Sequence, residues 1–289
     1  MVGGRLCGTL VYKELQSSSM TDGADNNREA SLLSASEPPP FHVLTPLAKA
    51  PILLVCDHAS CRIPDVLGDM GLDPFARRCH LAIDIGAGDL IQRLADSLGV
   101  TAVVAQYSRL VVDCNRQLMD PGAFLEYGDG ILVPGNRNLK QADKDARADA
   151  IYWPYHEAID KQIQRLRALG PPPMFISIHS FTPVLNGISR AVEMGVLWDK
   201  DERLADIFIE EFRAAGYLTG DNEPYSGKAP QDFTIDHHAE EIELPHVGIE
   251  VRQDLIDDVA GVNEIAPIMH KIIEAIPGRI GLLRDKISA

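Results

Sequence analysis

Short apolar runs alternate along this chain with longer stretches whose apolar residues recur at helical spacing. The runs predicted as strands cover residues 51–56, 100–105, 110–112, 174–178, 192–198 and 247–251, and the stretches predicted as helices cover residues 84–98, 143–169, 202–215 and 262–276. Strands separated by helices of roughly 10–15 residues are typical of a mostly parallel sheet covered on both faces. The alternation therefore predicts an α/β fold with a central mixed, mostly parallel sheet flanked by helices.

The first forty residues lack this alternation. They contain the serines 17–19, the polar stretch 22–28 and three prolines at 38–40, and no apolar core follows a basic start as in a secretory signal. We predict a flexible leader over residues 1–40, in which Met20 is an alternative translation start. Residues 41–289 contain no internal repeat and no second linker of this kind, so we predict a single domain there.

The charge balance excludes several classes of partner. The chain has 27 basic and 42 acidic residues, a formal net charge of −15, whereas nucleic acids and anionic membrane surfaces require a basic face. No apolar run approaches the roughly 20 residues of a transmembrane helix. The five cysteines form no CxxC pair, which argues against a disulfide framework and a cysteine-rich zinc site. We expect a cytoplasmic protein with a small-molecule partner, and its oligomeric state stays open.

Polar and charged residues cluster at the ends of four predicted strands. Ligands bind outside the carboxyl ends of strands in α/β sheets, and charged groups buried there are costly unless they are paired or bound to a metal. The sequence therefore predicts one polar site. The residues are Asp57 and His58 after residues 51–56, Asp113, Asn115 and Arg116 after residues 110–112, His179 after residues 174–178, and Glu250 and Arg252 at the last strand.

The two histidines of this set, His58 and His179, favour a metal. A catalytic zinc site typically has three protein ligands and one position open for water. The chain lacks HExxH, GxGxxG after a strand and GxxxxGK[ST], so neither a helix-borne zinc protease site nor a nucleotide loop is indicated. Residues 86–88, Gly-Ala-Gly, indicate backbone crowding near a helix start instead.

A nucleophilic serine is the competing chemistry. Three serines, Ser60, Ser108 and Ser180, lie near the predicted site, but none is set in the GxSxG motif of the nucleophile elbow. Ser180 is also a neighbour of His179, and adjacent residues of an extended chain point in opposite directions. A serine hydrolase therefore stays an alternative.

Several short motifs together resemble the N-formylglutamate amidohydrolase family. The resemblance covers most of residues 43–275, and it implies a zinc-dependent hydrolase with a zinc carboxypeptidase-like fold. It also implies cleavage of N-formylglutamate to formate and glutamate, a reaction of histidine degradation. The motifs are Asp57-His58-Ala59-Ser60, Asp84-Ile85-Gly86, Tyr107-Ser108-Arg109 with Asn115-Arg116, Ile178-His179-Ser180, and Glu250-Val251-Arg252-Gln253-Asp254-Leu255.

The resemblance also implies a set of metal ligands. Zinc is expected on His58, His179 and Asp84, because Asp84 opens the helix after the first strand, as the ligand glutamate of zinc carboxypeptidases lies in its own helix. Asp57 is the alternative third ligand, or a carboxylate that holds an imidazole in place. Cys61 stands where the family often has asparagine.

Hydrolysis of an amide requires further groups. Glu250 is expected to be the general base, because its position resembles that of the carboxypeptidase base. Arg109 is expected to stabilise the developing oxyanion. Asn115, Arg116 and Arg252 are expected to bind the carboxylates of the substrate, for which a guanidinium offers two-point contacts.

Two other functions stay open beside the serine hydrolase. The protein can be a zinc carboxypeptidase-like or deacylase-like hydrolase of another N-acyl amino acid, or a non-catalytic binding protein of the same fold. The stretch before the Glu250 strand, with Tyr225, His237, His238 and His246, is either a lid or a surface connection. We assign it no role.

Overall fold

The computed structural model describes residues 31–228 and 232–287, with side chains as far as residue 279. Residues 1–30 of the predicted leader lie outside the described residues. Residues 31–40 contact the rest of the unit Ser31–Ala289. Tyr107 Oη donates to the carbonyl of Pro38 over 2.8 Å, and the backbone N–H of Asp65 donates to Glu37 over 2.9 Å.

The helices and strands follow the predicted alternation. The strands are β1 (Phe41–Leu44), β2 (Ile52–Cys56), β3 (Thr101–Ala105), β4 (Tyr127–Gly128), β5 (Ile131–Leu132), β6 (Met174–Phe181), β7 (Val184–Leu185), β8 (Ile188–Ser189), β9 (Met194–Leu197), β10 (Thr219–Asp221) and β11 (His246–Arg252). The helices are α1 (Ala87–Leu98), α2 (Gln141–Arg147), α3 (Trp153–Leu169), α4 (Arg203–Ala214), the single turn α5 (Phe233–Ile235) and α6 (Val259–Ile287). Among the described residues, no helix combines the length and hydrophobicity needed to cross a bilayer.

In the described part of the chain, seven strands form one sheet in the order β1-β3-β2-β6-β11-β9-β10. The strands β3, β2, β6 and β11 run parallel, and β9 runs parallel to β10. The strand β1 is antiparallel to β3, and β9 is antiparallel to β11. The predicted single α/β domain with a mixed, mostly parallel sheet is therefore confirmed.

Alternate residues of β2 face two separate cores. Leu54 and Cys56 pack in the core formed with α1, α4 and α6, whereas Leu53 and Val55 pack in the core formed with α3. Successive side chains of a strand point to opposite faces, so a strand covered on both faces must be apolar throughout. This is why residues 52–56 read as one continuous apolar run.

Residues 110–112 do not form the predicted strand. They lie in a buried turn whose carbonyls are bonded by side chains from elsewhere. Asn136 Nδ2 donates to the carbonyl of Leu110 over 2.9 Å, and Arg147 Nη1 donates to that of Val111 over 3.0 Å. These bonds take the place of those to a neighbouring strand. A short apolar run indicates that a segment is buried, but it does not distinguish a buried strand from a buried turn.

The predicted helix over residues 143–169 is present as three consecutive pieces. A π-helical segment, Ala148–Tyr152, joins α2 to α3. Pro154 lies in the first turn of α3, where it has no N–H to donate to the preceding turn. Short π-helical segments occur where the regular i→i−4 pattern is interrupted in this way.

The glycine pair before and within α1 is crowded by backbone, as predicted. Gly86 has φ 79°, and a Cβ added there would lie 2.0 Å from the carbonyl oxygen of Ile256. A Cβ added at Gly88 would lie 2.9 Å from the carbonyl oxygen of Ala59. The absence of side chains thus lets α1 begin directly against two backbone segments, next to Asp84.

Replacing Gly86 with Ala should lower the free energy of unfolding by about 3 kcal/mol or more, because the new Cβ collides with backbone that cannot move aside. Gly99 ends the same helix with φ 61° and nothing within 4 Å of its Cβ position, so Gly99→Ala is the matched control. It should cost only the roughly 1–2 kcal/mol of a left-handed residue with a side chain. Urea unfolding of both variants at equal metal content checks this, and equal losses would contradict the crowding.

Candidate active site

The carboxyl ends of three neighbouring parallel strands bring His58, His179 and Glu250 together. His179 on β6 and Glu250 on β11 are register partners, and His58 follows β2, which pairs with β6 on its other side. With Asp84, they line one cavity of about 150 Å³. Pockets for drug-sized ligands have roughly 300–1,000 Å³, so this cavity suits a small molecule.

Three buried side chains, His58, Asp84 and His179, could hold a metal ion. Their ligand atoms all lie within 4.8 Å of one another. Asp84 Oδ2 is 3.3 Å from His58 Nδ1 and 2.8 Å from His179 Nδ1. A tetrahedral zinc with ligands at about 2.0–2.1 Å separates its donor atoms by about 3.4 Å. The Asp84–His58 distance matches this value and the Asp84–His179 distance is about 0.6 Å shorter, so the group could hold a metal ion.

The outer nitrogen of each ring faces a further carboxylate. His58 Nε2 lies 2.7 Å from Asp113 Oδ1, and His179 Nε2 lies 3.3 Å from Asp57 Oδ2 and 2.9 Å from Ser177 Oγ. Such partners fix the orientation of metal-binding imidazoles and direct the other nitrogen at the metal. Asp57 thus contacts the outer nitrogen of His179. This corresponds to the second role considered for it, a carboxylate that holds an imidazole in place.

Asp57 is itself held firmly in place. Its Oδ1 accepts hydrogen bonds from Tyr155 Oη over 2.7 Å and from Thr234 Oγ1 over 2.9 Å. Tyr155 lies on α3 and Thr234 on α5, so helices on one face of the sheet support this carboxylate. The orientation of His179 is therefore built into the packing of the fold.

The electrostatics of the cluster call for positive charge. Burial alone would raise the pKa of the Asp84 carboxyl, but the His58 and His179 rings beside it lower that pKa below its ordinary value. Burial would likewise lower the pKa of His179, yet its bonds to the carboxylates of Asp57 and Asp84 hold that pKa well above the usual range. The buried carboxylates thus stabilise positive charge between them, and a bound divalent metal would supply such a charge.

Arg109 lies at the wall of the same cavity. Its Nε and Nη2 donate to Asp113 Oδ2 over 3.0 and 2.6 Å, and its Nη1 lies 3.5 Å from Asp84 Oδ1. The side chain is still 24% exposed. The structure therefore places Arg109 next to the group of His58, Asp84 and His179, and Asp113 fixes the orientation of its guanidinium.

Glu250 is the buried carboxylate on the other side of the cavity. It is 7% exposed, and its Oε2 has no hydrogen-bond partner in the part of the chain that is described. Burial raises its pKa to about 7. The facing strand carries Gly195, whose added Cβ would lie 3.0 Å from Glu250 Cβ. A carboxyl that titrates near neutrality with an unpaired oxygen is suited to proton transfer.

Asn115 and Arg116 also line the cavity, although they come from a loop and not from a strand end. Asn115 Oδ1 accepts from the backbone N–H of Thr234 over 2.9 Å, so the amide nitrogen is directed away from that contact. Arg116 Nη1 donates to the carbonyl of Asn115 over 2.8 Å. Both predicted substrate-binding residues therefore reach the site.

The structure does not bring Arg252 to the cavity. Its Nε and Nη2 donate to Asp254 over 2.7 and 3.2 Å, and its Nη1 donates to the carbonyl of Ala191 over 3.0 Å. A further ion pair joins it to Glu193 at 3.6 Å. The guanidinium therefore holds the segment before β9 and not a ligand in the cavity.

Several residues of the cavity wall carry no signal in the sequence. Phe181 and Leu197 are the last residues of β6 and β9, and most of the others belong to connecting segments. A connection between two elements does not show which edge of the sheet it crosses. Tyr225, to which no role was given, is one of them, whereas the three histidines of the same stretch make contacts elsewhere. The sequence indicated no place at the site for His80, Phe181, Thr182, Leu197, Ser226 and Asp232. Ser180 and Gln253, which belong to motifs of the family resemblance, also line the cavity.

All three candidate serines are bonded to backbone. Ser108 Oγ donates to the carbonyl of Ala82, and Ser180 Oγ donates to that of Ile85, both over 2.8 Å. Ser60 Oγ accepts from the backbone N–H of Arg62 over 3.1 Å. None of these contacts pairs a serine with a histidine as nucleophilic catalysis requires.

Comparison with known proteins found one matching family and several similar structures. A family model described as N-formylglutamate amidohydrolase matches residues 50–257. A solved gene product from Agrobacterium tumefaciens is 34% identical with a TM-score of 0.84, and the match covers 86% of this chain and 99% of that one. No curated protein sequence matches the chain.

A second solved structure shows the same fold at lower identity. It is an N-formylglutamate amidohydrolase from Ralstonia eutropha, with 18% identity, a TM-score of 0.61, and coverage of 85% of this chain and 99% of that one. The family model itself spans well over half of the sequence, from just before β2 to just after β11. The chain therefore belongs to the N-formylglutamate amidohydrolase family, whose members are hydrolases that act on linear amides.

Proposed function

We propose that this protein is a zinc-dependent amidohydrolase that cleaves the N-formyl amide of an acidic amino acid such as N-formylglutamate, giving formate and glutamate. The observation that carries the proposal is the convergence of His58, Asp84 and His179 in one small cavity with Glu250 and Arg109. A cytoplasmic location and a role in histidine degradation belong to the same proposal.

The metal-binding group supplies the electrophile. His58 Nδ1, His179 Nδ1 and a carboxylate oxygen of Asp84 would hold the zinc. Asp113 and Asp57 keep the two rings in the orientation that this requires. Zinc, when bound, polarises the amide carbonyl and lowers the pKa of water.

Glu250 moves the proton. Glu250 lines the cavity and its Oε2 has no partner among the described residues, so it can take a proton from the attacking water and pass it to the leaving amide nitrogen. Its raised pKa suits both steps, because the same group must first accept and then donate near neutral pH. Arg109, fixed by Asp113, offers positive charge to the oxygen that becomes negative.

Asn115 and Arg116 are suited to hold the α-carboxylate of the substrate. An amide N–H and a planar guanidinium on neighbouring residues can bind one carboxylate at two points. The protein has a net charge of −15, so this contact depends on local charges. Salt screens more distant charges beyond about 8–10 Å.

Replacing Arg116 with Lys should raise KM for an N-formyl amino acid about tenfold, because the charge stays while the two-point geometry is lost. The same change should hardly alter hydrolysis of the corresponding α-amide, which is a poor substrate from the start. Steady-state kinetics on the acid and its amide check this. Equal effects on both compounds would show that Arg116 is structural or serves the oxyanion.

Metal analysis coupled to a screen of N-acyl amino acids tests the proposed function. We expect about one zinc per chain, hydrolysis of N-formylglutamate, and loss of activity with a chelator. Preference for another acyl group would favour a different deacylase. Activity that survives a chelator but not a serine-directed reagent would favour a serine hydrolase. A protein that binds no zinc and hydrolyses no compound of the screen would favour a binding protein.

A further inference from the structure

Arg190 lies at the edge of the sheet that carries the active site. It precedes β9, and β9 is antiparallel to β11, so the start of β9 lies beside the carboxyl end of β11. The backbone N–H of Arg252 donates to the carbonyl of Glu193 over 2.9 Å at this point. The sheet therefore delivers Arg190 to the same edge as His179 and Glu250.

The guanidinium of Arg190 is held by two aromatic residues of the cavity wall. Its central carbon lies 4.8 Å from the ring centre of Tyr225 and 5.7 Å from that of Phe181. Its Nη1 donates to Tyr225 Oη over 2.8 Å. Both rings line the cavity that contains the metal-binding group. Arg190 is thus held beside two residues of the cavity wall, by groups that carry no negative charge.

The hydrogen-bonding capacity of Arg190 is only partly used. In the described ranges 31–228 and 232–287, no carboxylate forms an ion pair with it, and its Nε and Nη2 donate no hydrogen bond. Arg109, by contrast, is committed to Asp113 and Asp84. Two adjacent N–H groups of a planar guanidinium are the arrangement that recognises a carboxylate.

The backbone that carries Arg190 is also fixed. Its own N–H donates to the carbonyl of Pro183 over 2.8 Å. Arg252 Nη1 donates to the carbonyl of Arg190 over 3.4 Å and to that of Ala191 over 3.0 Å. Side chains that are ordered before binding lose less entropy when a ligand arrives, so this support favours a role in recognition.

We propose that Arg190, oriented by Tyr225, binds the side-chain carboxylate of the acyl amino acid and so selects acidic substrates. This inference rests on the proposed function and deepens it, because Asn115 and Arg116 take the α-carboxylate and a second anionic group needs a second cation. Arg190 is the specificity-determining residue beside the cavity wall.

The test compares N-formylglutamate with N-formylglutamine, which has the same length and a neutral side chain. Arg190→Gln should raise KM for N-formylglutamate about 10- to 100-fold, the size of one charge-assisted contact. It should change kcat/KM for N-formylglutamine less than about threefold. Tyr225→Phe should give a smaller rise, again only for the acidic substrate.

Arg93→Gln on the exposed face of α1 is the matched control, because it removes one positive charge away from the cavity. It should leave both substrates within about twofold. Equal losses of Arg190→Gln on N-formylglutamate and N-formylglutamine would overturn the proposal and make Arg190 structural. The proposal would also be overturned if Arg190→Gln weakened only the preference for an α-carboxylate over its α-amide and left the preference for N-formylglutamate over N-formylglutamine unchanged.

A binding measurement separates this proposal from the proposed function. Calorimetry with the zinc-loaded protein compares glutarate with butyrate, which lacks the second carboxylate. The unaltered protein should prefer glutarate, and Arg190→Gln should remove the preference. If the unaltered protein hydrolyses no N-formyl amino acid, the proposed function fails, and this measurement still decides the role of Arg190. A preference that survives Arg190→Gln overturns the inference.

Discussion

Replacing His179 with Ala should release the metal and reduce hydrolysis to the background rate. Two remaining ligands, His58 and Asp84, rarely hold zinc tightly. The variant also leaves Asp57 and Asp84 without the ring between them. Elemental analysis after gel filtration measures the metal, and circular dichroism establishes that the variant is folded. His58→Ala should lose the metal for the same reason.

His238→Ala is the matched control for this loss. His238 is equally buried and also bonded to a carboxylate, because its Nδ1 lies 2.8 Å from Asp160 Oδ1. It does not line the cavity. The control should therefore keep its zinc even if it loses some stability. Full zinc content in both His58→Ala and His179→Ala would exclude the proposed metal site.

Replacing Glu250 with Gln should lower kcat by about 10²–10⁴-fold while zinc stays bound. The shape of the side chain is kept, and only the proton acceptor is removed. The expected factor is the usual contribution of general acid–base assistance to the rate. Glu250 is outside the metal-binding group, so its loss leaves three ligands in place. Steady-state kinetics together with metal analysis measure the two quantities.

Glu240→Gln provides the comparison for a carboxylate outside the cavity. Glu240 pairs with Lys200 at 2.8 Å and has no place in the active-site wall. This variant should keep kcat within about twofold. A Glu250→Gln enzyme that turns over at nearly the original rate would remove Glu250 from the mechanism.

The strand-end residues could be predicted because parallel strands finish at a common edge. The runs that carry or precede His58, His179 and Glu250 are apolar enough to be recognised as buried strands. The polar residues at their ends could therefore be placed at one edge of the sheet. Asp84 needed the family resemblance, since an acidic residue before a helix is equally common as a helix cap.

The remaining site residues depend on features that periodicity does not encode. Hydrophobic spacing gives no strand direction, so the antiparallel course of β9 and the arrival of Arg190 before a strand could not be foreseen. Arg252 is the last residue of β11, and its guanidinium still bonds Asp254 and the segment before β9 and does not line the cavity. Residues 110–112 are buried without pairing to a neighbouring strand, and the turn that they form brings Asn115 to the site.

The last strand of the sheet to be synthesised, β11, lies near its middle, between β6 and β9. A nascent chain that has emerged only as far as residue 240 contains all three proposed metal ligands but leaves two interior strand edges open. Unpaired edges are templates for aggregation, and pairings between distant segments form slowly. Insertion of His246–Arg252 closes both edges and delivers Glu250 in one event. Completion of the fold and acquisition of the proposed catalytic base therefore coincide, and we expect chains truncated before β11 to be both inactive and prone to aggregate.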